Sequence, residues 1–414
     1  MKTNLKTLKG FRDLLPLDTI IKQKAVESLK TTFESFGFQP LETPTIEYAD
    51  TLLGKYGKSA EKLVYTFKDK GNRKVGLRYD LTVPICKVMA MYQNQLSPPF
   101  KGYQIQNVFR ADKPQRGRFR EFTQCDIDIF GVPSPMADGE IITTIYTALK
   151  KLGFKEFVTS INSRDILFAI LERSAINDKK SQLAVLQIID KLDKKPKEAV
   201  KEDLSKVISL DKTNIVLKEI KKAKPNKDLE EIFEFLKLSK IPSSYYKFNP
   251  SMVRGLDYYT RAIFETSASK PKIGSITGGG RYDNLISQLG GPDITGTGTT
   301  IGLERIIETI KENNLWKNSP AKKSLLVTIF SPELKANSIS LAQKLRNNNI
   351  DVELYLDANA RLEKQFKYAD RKNISWVAII GPDEASKGLI VLKNLTSRSQ
   401  KTLSQKELIK TLKE

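Results

Sequence analysis

The sequence predicts an α+β protein: an antiparallel sheet domain with a helical insertion, followed by a separate α/β domain. Residues 102–110 and 119–129 alternate in polarity on either side of a basic loop, which predicts two antiparallel strands. Residues 165–240 follow a helical pattern with mixed charge. Further on, apolar runs typical of buried parallel strands alternate with helical segments. The predicted boundaries are 1–164 and 246–316 for the sheet domain, 165–245 for the insertion and 323–414 for the C-terminal domain.

The composition indicates a polyanionic partner and chemistry without histidine. The 414 residues carry a formal net charge of +21, which points to nucleic acid or an acidic membrane surface. The sequence contains no histidine, which excludes Ser-His-Asp and Cys-His nucleophiles, HExxH zinc sites and histidine general bases. Arginine, carboxylates, tyrosine and Mg²⁺ remain. These suit adenylyl or phosphoryl transfer, because such reactions depend mainly on positioning and charge neutralisation.

Cysteine usage and hydropathy predict a cytoplasmic protein. Cys86 and Cys125 lie in apolar stretches and form no disulfide framework, which favours a reducing compartment and argues against a zinc site. No apolar run is long enough for a transmembrane helix, and the N-terminus lacks the apolar segment of a signal peptide. We therefore expect no membrane-spanning segment, and no membrane is among the expected partners.

The N-terminal part predicts a helix followed by short strands. Asp18 is the expected N-cap of a helix with a 3.6-residue apolar period, which ends at Gly37. Residues 38–47 are extended and contain two prolines, as in an edge strand. Residues 63–68 and 74–79 predict two further strands, the second of which continues into LRYDLTVP.

The polar face of the two central strands is the strongest sign of a ligand site. Alternation places Arg110 on one face of the first strand, and Phe122, Gln124, Asp126 and Asp128 on one face of the second. Buried charges need partners, so this face lines either solvent or a polar ligand. An exposed hairpin with a basic turn explains the loop well and the charged strand face poorly.

Three later segments carry further signals. The segment 253–265, VRGLDYYTRAIFE, predicts a charged turn followed by a strand at 258–265. The glycines of GGGRYDNL (278–285), after a short strand, allow backbone amides to approach a ligand closely. In GTGTTIGLERI (296–306) a strand leads into a helix, with Arg305 in the first turn. Helix dipoles disfavour arginine there and favour anions, so a bound anion is the simpler explanation.

The remaining elements predict packing rather than chemistry. The expected elements are a helix at 138–152, a strand at 157–162, and a C-terminal domain with strands LLVTIF, VELYL and WVAIIG, helices at 333–347 and 360–372, a strand at 388–394 and a last helix at 404–413.

Taken in order, these motifs resemble histidyl-tRNA synthetases, which are class II aminoacyl-tRNA synthetases. The resemblance covers residues 9–160 and 253–414. Its motifs are KGFRDLLP (9–16), LRYDLTVP (77–84), FRADKPQRGRFREFTQ (109–124), RGLDYY (254–259), GGGRYDNL, GTGTTIGLERI and LEKQFKYADRKN (362–373). It implies a class II antiparallel catalytic domain with a helical insertion and a C-terminal α/β anticodon-binding domain.

The resemblance also implies an activity. The expected enzyme is a histidine–tRNA ligase, which joins histidine to ATP as histidyl-adenylate and transfers it to the 3′ end of tRNA(His). The expected partners are ATP, L-histidine, tRNA(His) and a second copy in a homodimer, for which the extended segment around Pro44 helps to form the interface. Mg²⁺ is expected with ATP, held largely by the nucleotide.

The resemblance implies roles for individual residues. The catalytic residues are Arg110 and Arg254, which stabilise charge on the α-phosphate. The histidine-binding residues are Asp80, Thr82, Gln124, Asp128, Arg254, Tyr258, Tyr259 and Tyr282. The ATP-binding residues are Arg110, Asp112, Arg118, Phe122 and Arg305. The tRNA-binding residues are Lys113, Gln115, Arg116 and Arg120. No protein side chain is expected to hold a metal.

Alternatives remain open at this point. A catalytically silent paralogue keeps the fold and binds histidine as a regulatory subunit of histidine biosynthesis. A nonspecific basic RNA-binding protein explains the charge and leaves the acidic, tyrosine-rich segments unexplained. The helical segment 165–240 either contacts the acceptor arm of a tRNA or forms a solvated bundle.

Overall fold

The computed structural model describes residues 5–55, 61–115, 117–192, 195–253, 258–270, 274–316 and 325–413. The chain divides into two compact units, Met1–Trp316 and Lys317–Glu414. The α-helices of the described residues are α1 (Pro16–Ser35), α2 (Ala49–Leu52), α3 (Thr82–Tyr92), α4 (Met136–Lys151), α5 (Arg164–Arg173), α6 (Lys179–Ile189), α7 (Lys197–Ser205), α8 (Leu210–Lys222), α9 (Lys227–Leu238), α10 (Leu285–Gln288), α11 (Leu303–Glu312), α12 (Lys335–Asn347), α13 (Leu362–Arg371), α14 (Pro382–Lys387) and α15 (Gln405–Lys413). The strands are β1 (Gln39–Pro40), β2 (Ile46–Tyr48), β3 (Thr66–Lys68), β4 (Lys74–Leu77), β5 (Phe100–Phe109), β6 (Glu121–Phe130), β7 (Phe157–Ser163), β8 (Tyr246–Phe248), β9 (Ala262–Ala268), β10 (Ser275–Arg281), β11 (Gly296–Gly302), β12 (Leu325–Val327), β13 (Val352–Leu354), β14 (Trp376–Ile379), β15 (Leu389–Asn394) and β16 (Gln400–Ser404).

An eight-stranded sheet organises the first unit, in the order β1-β5-β6-β11-β10-β9-β7-β8. The strands from β5 to β7 in this order are antiparallel to their neighbours, and β1 and β8 at the two edges pair in parallel. The register places Asp128 of β6 opposite Gly102 on one side and Gly298 on the other. The predicted antiparallel sheet is confirmed. A smaller sheet has the order β2-β4-β3.

The two faces of β6 differ as its alternation predicts. Cys125, Ile127 and Ile129 pack in the main core with apolar side chains of α1, α4 and α11. The opposite face carries Gln124 and Asp128, which are 4% and 2% exposed. Burial of the apolar face is the main force that holds the helices on the sheet, and it leaves a polar surface on the other side.

Two N-terminal details differ from expectation. Helix α1 starts at Pro16 with Leu15 as N-cap, and Asp18 lies in the first turn rather than at the cap. Proline suits the first helical position, because it lacks the N–H that would be unsatisfied there. Strand β4 ends at Leu77, so Arg78 lies on the following loop. Its buried guanidinium donates to main-chain oxygens of Thr43 (2.6 Å) and Asn107 (2.7 Å), which ties this loop to β5.

The glycine-rich segment also differs from expectation. The glycines at 278–280 lie within β10 rather than after it, and β9 starts at Ala262 rather than at 258. A Cβ on Gly279 would lie 2.0 Å from the carbonyl oxygen of Gly298. The strand pairing itself therefore requires this glycine, in addition to any approach of a ligand.

The helical stretch contains two kinds of packing. Helices α5 to α8 share a core of their own, which includes Leu171, Val185 and Val216. Helix α9 instead packs on α4, and its Leu229 and Leu236 belong to the main core of the sheet. The last helix of the stretch therefore contributes to the core of the large sheet and not to the core shared by α5 to α8.

The second unit is a five-stranded sheet with helices, in the order β13-β12-β14-β15-β16. Strand β12 pairs in parallel with β13 and β14, as predicted, whereas β15 and β16 are antiparallel. Its core includes Leu325, Val327, Leu345 and Leu392. Across the described parts of both units, none of the helices has the length and apolar character needed to cross a bilayer.

Candidate active site

A cavity of about 490 Å³ lies over the polar face of β6, β10 and β11. Most of the predicted site residues line it. They are Asp80, Thr82, Arg110, Asp112, Arg118, Phe122, Gln124, Tyr258, Tyr259, Tyr282 and Arg305. The fold thus brings together motifs that are separated by more than two hundred positions in the sequence.

The other predicted residues that the structure describes do not line the cavity. Asp128 is buried behind the cavity wall, where its Oδ1 accepts a short hydrogen bond from the hydroxyl of Tyr282. Lys113 and Gln115 are exposed on the loop between β5 and β6. Arg254 and Arg116 lie outside the described residues.

Arg120 has a structural partner that the sequence did not suggest. Its Nε donates to the carbonyl oxygen of Asp112 (3.0 Å), and its Nη1 donates to that of Lys9 (3.3 Å). The main-chain N–H of Arg120 also donates to the carbonyl oxygen of Gly10 (2.8 Å). These bonds hold the N-terminal segment against the loop between β5 and β6.

Arg110 is held between two aromatic rings at the cavity wall. Its guanidinium carbon lies 4.3 Å from the ring centroid of Tyr79 and 5.1 Å from that of Phe122. Its Nε donates to the carbonyl oxygen of Tyr79 (3.0 Å). Stacking between rings restricts the side chain and retains its charge, so it presents a preorganised cation.

Two further arginines make this end of the cavity cationic. Arg118 forms a two-pronged ion pair with Asp112, at 3.0 Å from Nε to Oδ2 and 2.8 Å from Nη2 to Oδ1. Arg305 is the third residue of α11 and makes a short bond to the carbonyl oxygen of Ser275. Planar guanidinium groups bind phosphate oxygens well, and a helix N-terminus adds favourable N–H groups.

The opposite end is acidic. The Oδ1 of Asp80 accepts from the main-chain N–H of Val83 (3.2 Å), and its Oδ2 accepts from the hydroxyl of Tyr258 (3.4 Å). Burial raises the pKa of Asp128 to about 7, with a smaller contribution from Asp80 that the hydrogen bond from Tyr282 opposes. A cationic ligand is favoured beside these buried carboxylates, because its positive charge offsets their mutual repulsion.

Several buried polar atoms here have no hydrogen-bond partner among the described residues. They include Gln124 Oε1, Asp128 Oδ2 and the hydroxyl groups of Thr277 and Thr299. Buried polar groups are normally paired, so unpaired ones in a cavity wall indicate a polar ligand. Within the described chain, no group of three His, Cys, Asp or Glu side chains is arranged to hold a metal ion.

Sequence reasoning missed some residues of this site. Thr300 and Glu304 line the cavity, and Glu304 accepts the main-chain N–H of Thr123 (3.1 Å) and pairs with Arg12 (3.3 Å). The sequence feature that could have identified both residues is the GTGTTIGLE string, in which Thr300 shares a strand with the glycines. Asp190, from the C-cap of α6, also lines the cavity, and no pattern in the sequence marked it.

Arg281, in the GGGRYDNL segment next to the predicted site residue Tyr282, has structural partners. Its Nη2 lies 2.7 Å from Oδ2 of Asp138, and both side chains are 1% exposed. It also donates to the carbonyl oxygens of Val132 and Ser134, each at 2.9 Å. Arg281 therefore fastens β10 to the start of α4.

The antiparallel sheet, whose cavity is lined by arginines, carboxylates and tyrosines, fits the catalytic domain of a class II aminoacyl-tRNA synthetase that the sequence motifs predict. Residues 10–306 match the family model of histidyl-tRNA synthetase, and residues 324–414 match that of the anticodon binding domain. The chain belongs to the histidyl-tRNA synthetase family, and the prediction of a histidine–tRNA ligase is confirmed.

Individual relatives agree with this family. Histidine–tRNA ligases of Helicobacter hepaticus and Clostridium tetani are 37% and 38% identical to the chain. The alignments cover 95% of both chains in the first case, and 98% of this chain and 97% of the relative in the second. The crystal structure of histidyl-tRNA synthetase from Nostoc sp. PCC 7120 superposes with a TM-score of 0.85 at 27% identity, covering 100% of this chain and 99% of that one.

Proposed function

We propose that the cavity binds histidine at its acidic end and ATP at its arginine end, and that it forms histidyl-adenylate for transfer to tRNA(His). The observation that carries this proposal is that a single cavity brings arginines and buried carboxylates together. Arg110, Arg118, Arg305 and Asp80 line it, and Asp128 lies behind its wall against Tyr282. An amino acid and a nucleoside triphosphate need both kinds of group.

Histidine is proposed to bind through its α-ammonium group and its imidazole N–H. Asp80, Thr82 and Gln124 accept from the α-ammonium, which has three donors to satisfy. The free Oδ2 of Asp128 accepts from the imidazole N–H. Tyr258, Tyr259 and Tyr282 complete the pocket around the ring. The ring centroids of Tyr258 and Tyr282 lie 6.0 Å apart at an interplanar angle of 80°, an edge-to-face contact that restricts the orientation of both rings.

ATP is proposed to bind along the arginines. Arg110 and Arg254 contact the α-phosphate, Phe122 packs on the adenine, and Arg305 holds the outer phosphates. Arg118 exchanges its partner Asp112 for a phosphate oxygen. Mg²⁺ accompanies ATP and is held mainly by phosphate oxygens. Charge-assisted bonds of this kind contribute roughly 1.5–3 kcal/mol each.

The reaction then needs positioning more than proton transfer. A carboxylate oxygen of histidine attacks the α-phosphorus, and the bond to the β-phosphate breaks to release pyrophosphate. Arg110 is placed to stabilise the charge that develops on the phosphate oxygens. In the second step the ribose hydroxyl of the tRNA attacks the acyl carbon, AMP leaves, and a phosphate oxygen takes the hydroxyl proton.

Transfer to tRNA is proposed to use both units of the chain. Lys113, Gln115 and Arg116 approach the acceptor end, and the C-terminal unit, which matches an anticodon binding domain, takes the anticodon. Arg120 acts in this process by holding the loop, since its Nε and Nη1 donate to the carbonyl oxygens of Asp112 and Lys9.

A homodimer is proposed from the small sheet. Ile46 and Tyr48 of β2 and Phe67 of β3 are 49%, 58% and 44% exposed. The register places Tyr48 and Phe67 on either side of Val75, so they share a face. Exposed apolar residues that lie together mark an association surface. A second copy of this chain is the proposed occupant.

The test is amino-acid-dependent exchange of pyrophosphate into ATP, with each of the twenty amino acids supplied separately. Exchange with histidine and with no other amino acid is the expected result. Tight histidine binding without exchange points instead to the regulatory paralogue. Salt-sensitive RNA binding without exchange or tRNA selectivity favours the basic RNA-binding protein.

A further inference from the structure

Three polar side chains of two neighbouring strands form a chain of hydrogen bonds at the acidic end of the cavity. Gln124 and Asp126 lie two positions apart on β6, and Thr300 lies opposite Asp126 on β11. The Nε2 of Gln124 lies 2.8 Å from Oγ1 of Thr300. The same Oγ1 makes a short bond to Oδ1 of Asp126. Gln124 and Asp126 are almost fully buried.

The chemistry of these groups determines the direction of the bonds. In its ionised form the Asp126 carboxylate accepts hydrogen bonds and cannot donate, so in that form Thr300 donates its hydroxyl proton to Asp126. The hydroxyl oxygen of Thr300 then offers its lone pairs to Gln124. Gln124 must present its NH₂ to Thr300, and its carbonyl oxygen is directed elsewhere. This oxygen, Oε1, is buried and has no partner among the described residues, and Gln124 lines the cavity.

We propose that Asp126 and Thr300 are positioning residues that set the orientation of the Gln124 amide, so that the cavity offers a carbonyl oxygen to the α-ammonium of its substrate. Asp126 acts through Thr300, and neither residue needs to touch the reacting atoms. The inference rests on the proposed function, which supplies an amino acid as the ligand. A reversed amide would direct its NH₂ at an ammonium, and both groups are donors.

The surroundings of Asp126 couple this arrangement to the ligand. Burial and then the neighbouring Asp128 raise the pKa of Asp126 well above its usual range, and the hydrogen bond from Thr300 acts in the opposite direction. Asp80 raises this pKa further, and Arg110 lowers it. A bound ammonium favours the ionised carboxylate, which is the state that keeps the Gln124 oxygen directed at the ammonium.

Thr300→Val tests this inference, because valine keeps the shape and removes the hydroxyl. Thr300→Ser keeps the hydroxyl and is the matched control. The ligands are histidine, histidinol, which retains the ammonium and lacks the carboxylate, and 3-(imidazol-4-yl)propionate, which lacks the ammonium. Steady-state exchange kinetics provide KM for histidine and ATP, and inhibition provides Ki for the two analogues.

For Thr300→Val we expect KM for histidine and Ki for histidinol to rise roughly ten- to a hundredfold, as for loss of one bond to a charged group. Ki for the propionate and KM for ATP are expected to stay unchanged, and Thr300→Ser to restore the wild-type values. Equal weakening of both analogues would indicate a merely structural role and overturn the proposal. So would an unchanged KM for histidine.

Two further measurements separate other outcomes. If Thr300→Val does not fold, Asp126→Asn provides the same test. The amide introduced at position 126 can donate to the hydroxyl of Thr300, which can then donate to Gln124, so the amide of Gln124 can adopt the reversed orientation. Failure of the wild-type enzyme to exchange with histidine would refute the proposed function. If the wild-type enzyme exchanges normally with histidine but the variants weaken binding of histidinol and of the propionate equally, the positioning role is refuted. The proposed function then stands.

Discussion

Replacing Asp128 by Asn should make the ligand-free enzyme more stable while weakening its hold on histidine. The carboxyl of Asp128 is 2% exposed, and its Oδ2 has no hydrogen-bond partner among the described residues. Burial raises its pKa from the usual 3.8 to about 7. The folded protein therefore binds this proton more tightly than the unfolded chain does. Asn keeps an oxygen for the Tyr282 hydroxyl and never ionises.

The sign and size of the effect follow from proton linkage. Because the folded-state pKa is raised, wild-type stability falls as pH rises from about 4 to about 7, and then stays at the lower level. A shift from 3.8 to about 7 corresponds to at most about 4 kcal/mol at 1.36 kcal/mol per pKa unit. The variant should thus match the wild type near pH 4 and exceed it by up to this amount at pH 8.

Urea unfolding at several pH values between 5 and 8 measures this difference. The chain has two tryptophans, Trp316 in the first unit and Trp376 in the second. A Trp376→Phe background therefore lets fluorescence report on the unit that contains Asp128. Asp293→Asn, at an exposed position, is the control. A stability difference that does not change with pH would refute the reasoning, as would a variant that binds histidine as tightly as the wild type.

Two further predictions concern structural supports of the cavity. Arg281→Met should destabilise the first unit by about 3–5 kcal/mol, because Asp138 then remains buried without its partner; urea unfolding measures this, and a loss below 1 kcal/mol would contradict it. Gly298→Ala should lower stability by about 1–3 kcal/mol and raise KM for histidine, since its Cβ would lie 1.9 Å from Oδ1 of Asp128. Gly302→Ala, whose Cβ meets nothing closer than 3.7 Å, is the control, and equal effects of the two would contradict the steric argument.

The sequence predicted features that depend on local pattern. The two-residue period of β6 is local, and it identified both the apolar face with Ile127 and the polar face with Gln124. The parallel strands of the second unit were predicted because their apolar runs are uninterrupted. Strand β16 was missed because its residues are mostly exposed and show no alternation. Helix α14 is six residues long, and so too short for a periodic signal.

Features that depend on distant partners were not predictable from pattern. The structural role of Arg281 depends on its partner Asp138, which lies 143 positions away. Thr300 gains its role from Gln124, 176 positions away. The glycines of β10 were interpreted as allowing backbone amides to approach a ligand closely, whereas Gly279 is required by the neighbouring strand. Such partners are set by strand order, which a single sequence does not show.

The place of β6 in the sheet has a consequence for synthesis of the protein. β6 pairs with β5 soon after both are made, but its other partner, β11, follows only after the intervening helices and strands. At about 5–20 residues per second, the 176 positions between Gln124 and Thr300 take roughly ten to thirty-five seconds to translate. During that time the open edge of β6 is available to other chains. Until β11 has been synthesised, this edge of β6 therefore lacks the strand that covers it in the folded enzyme.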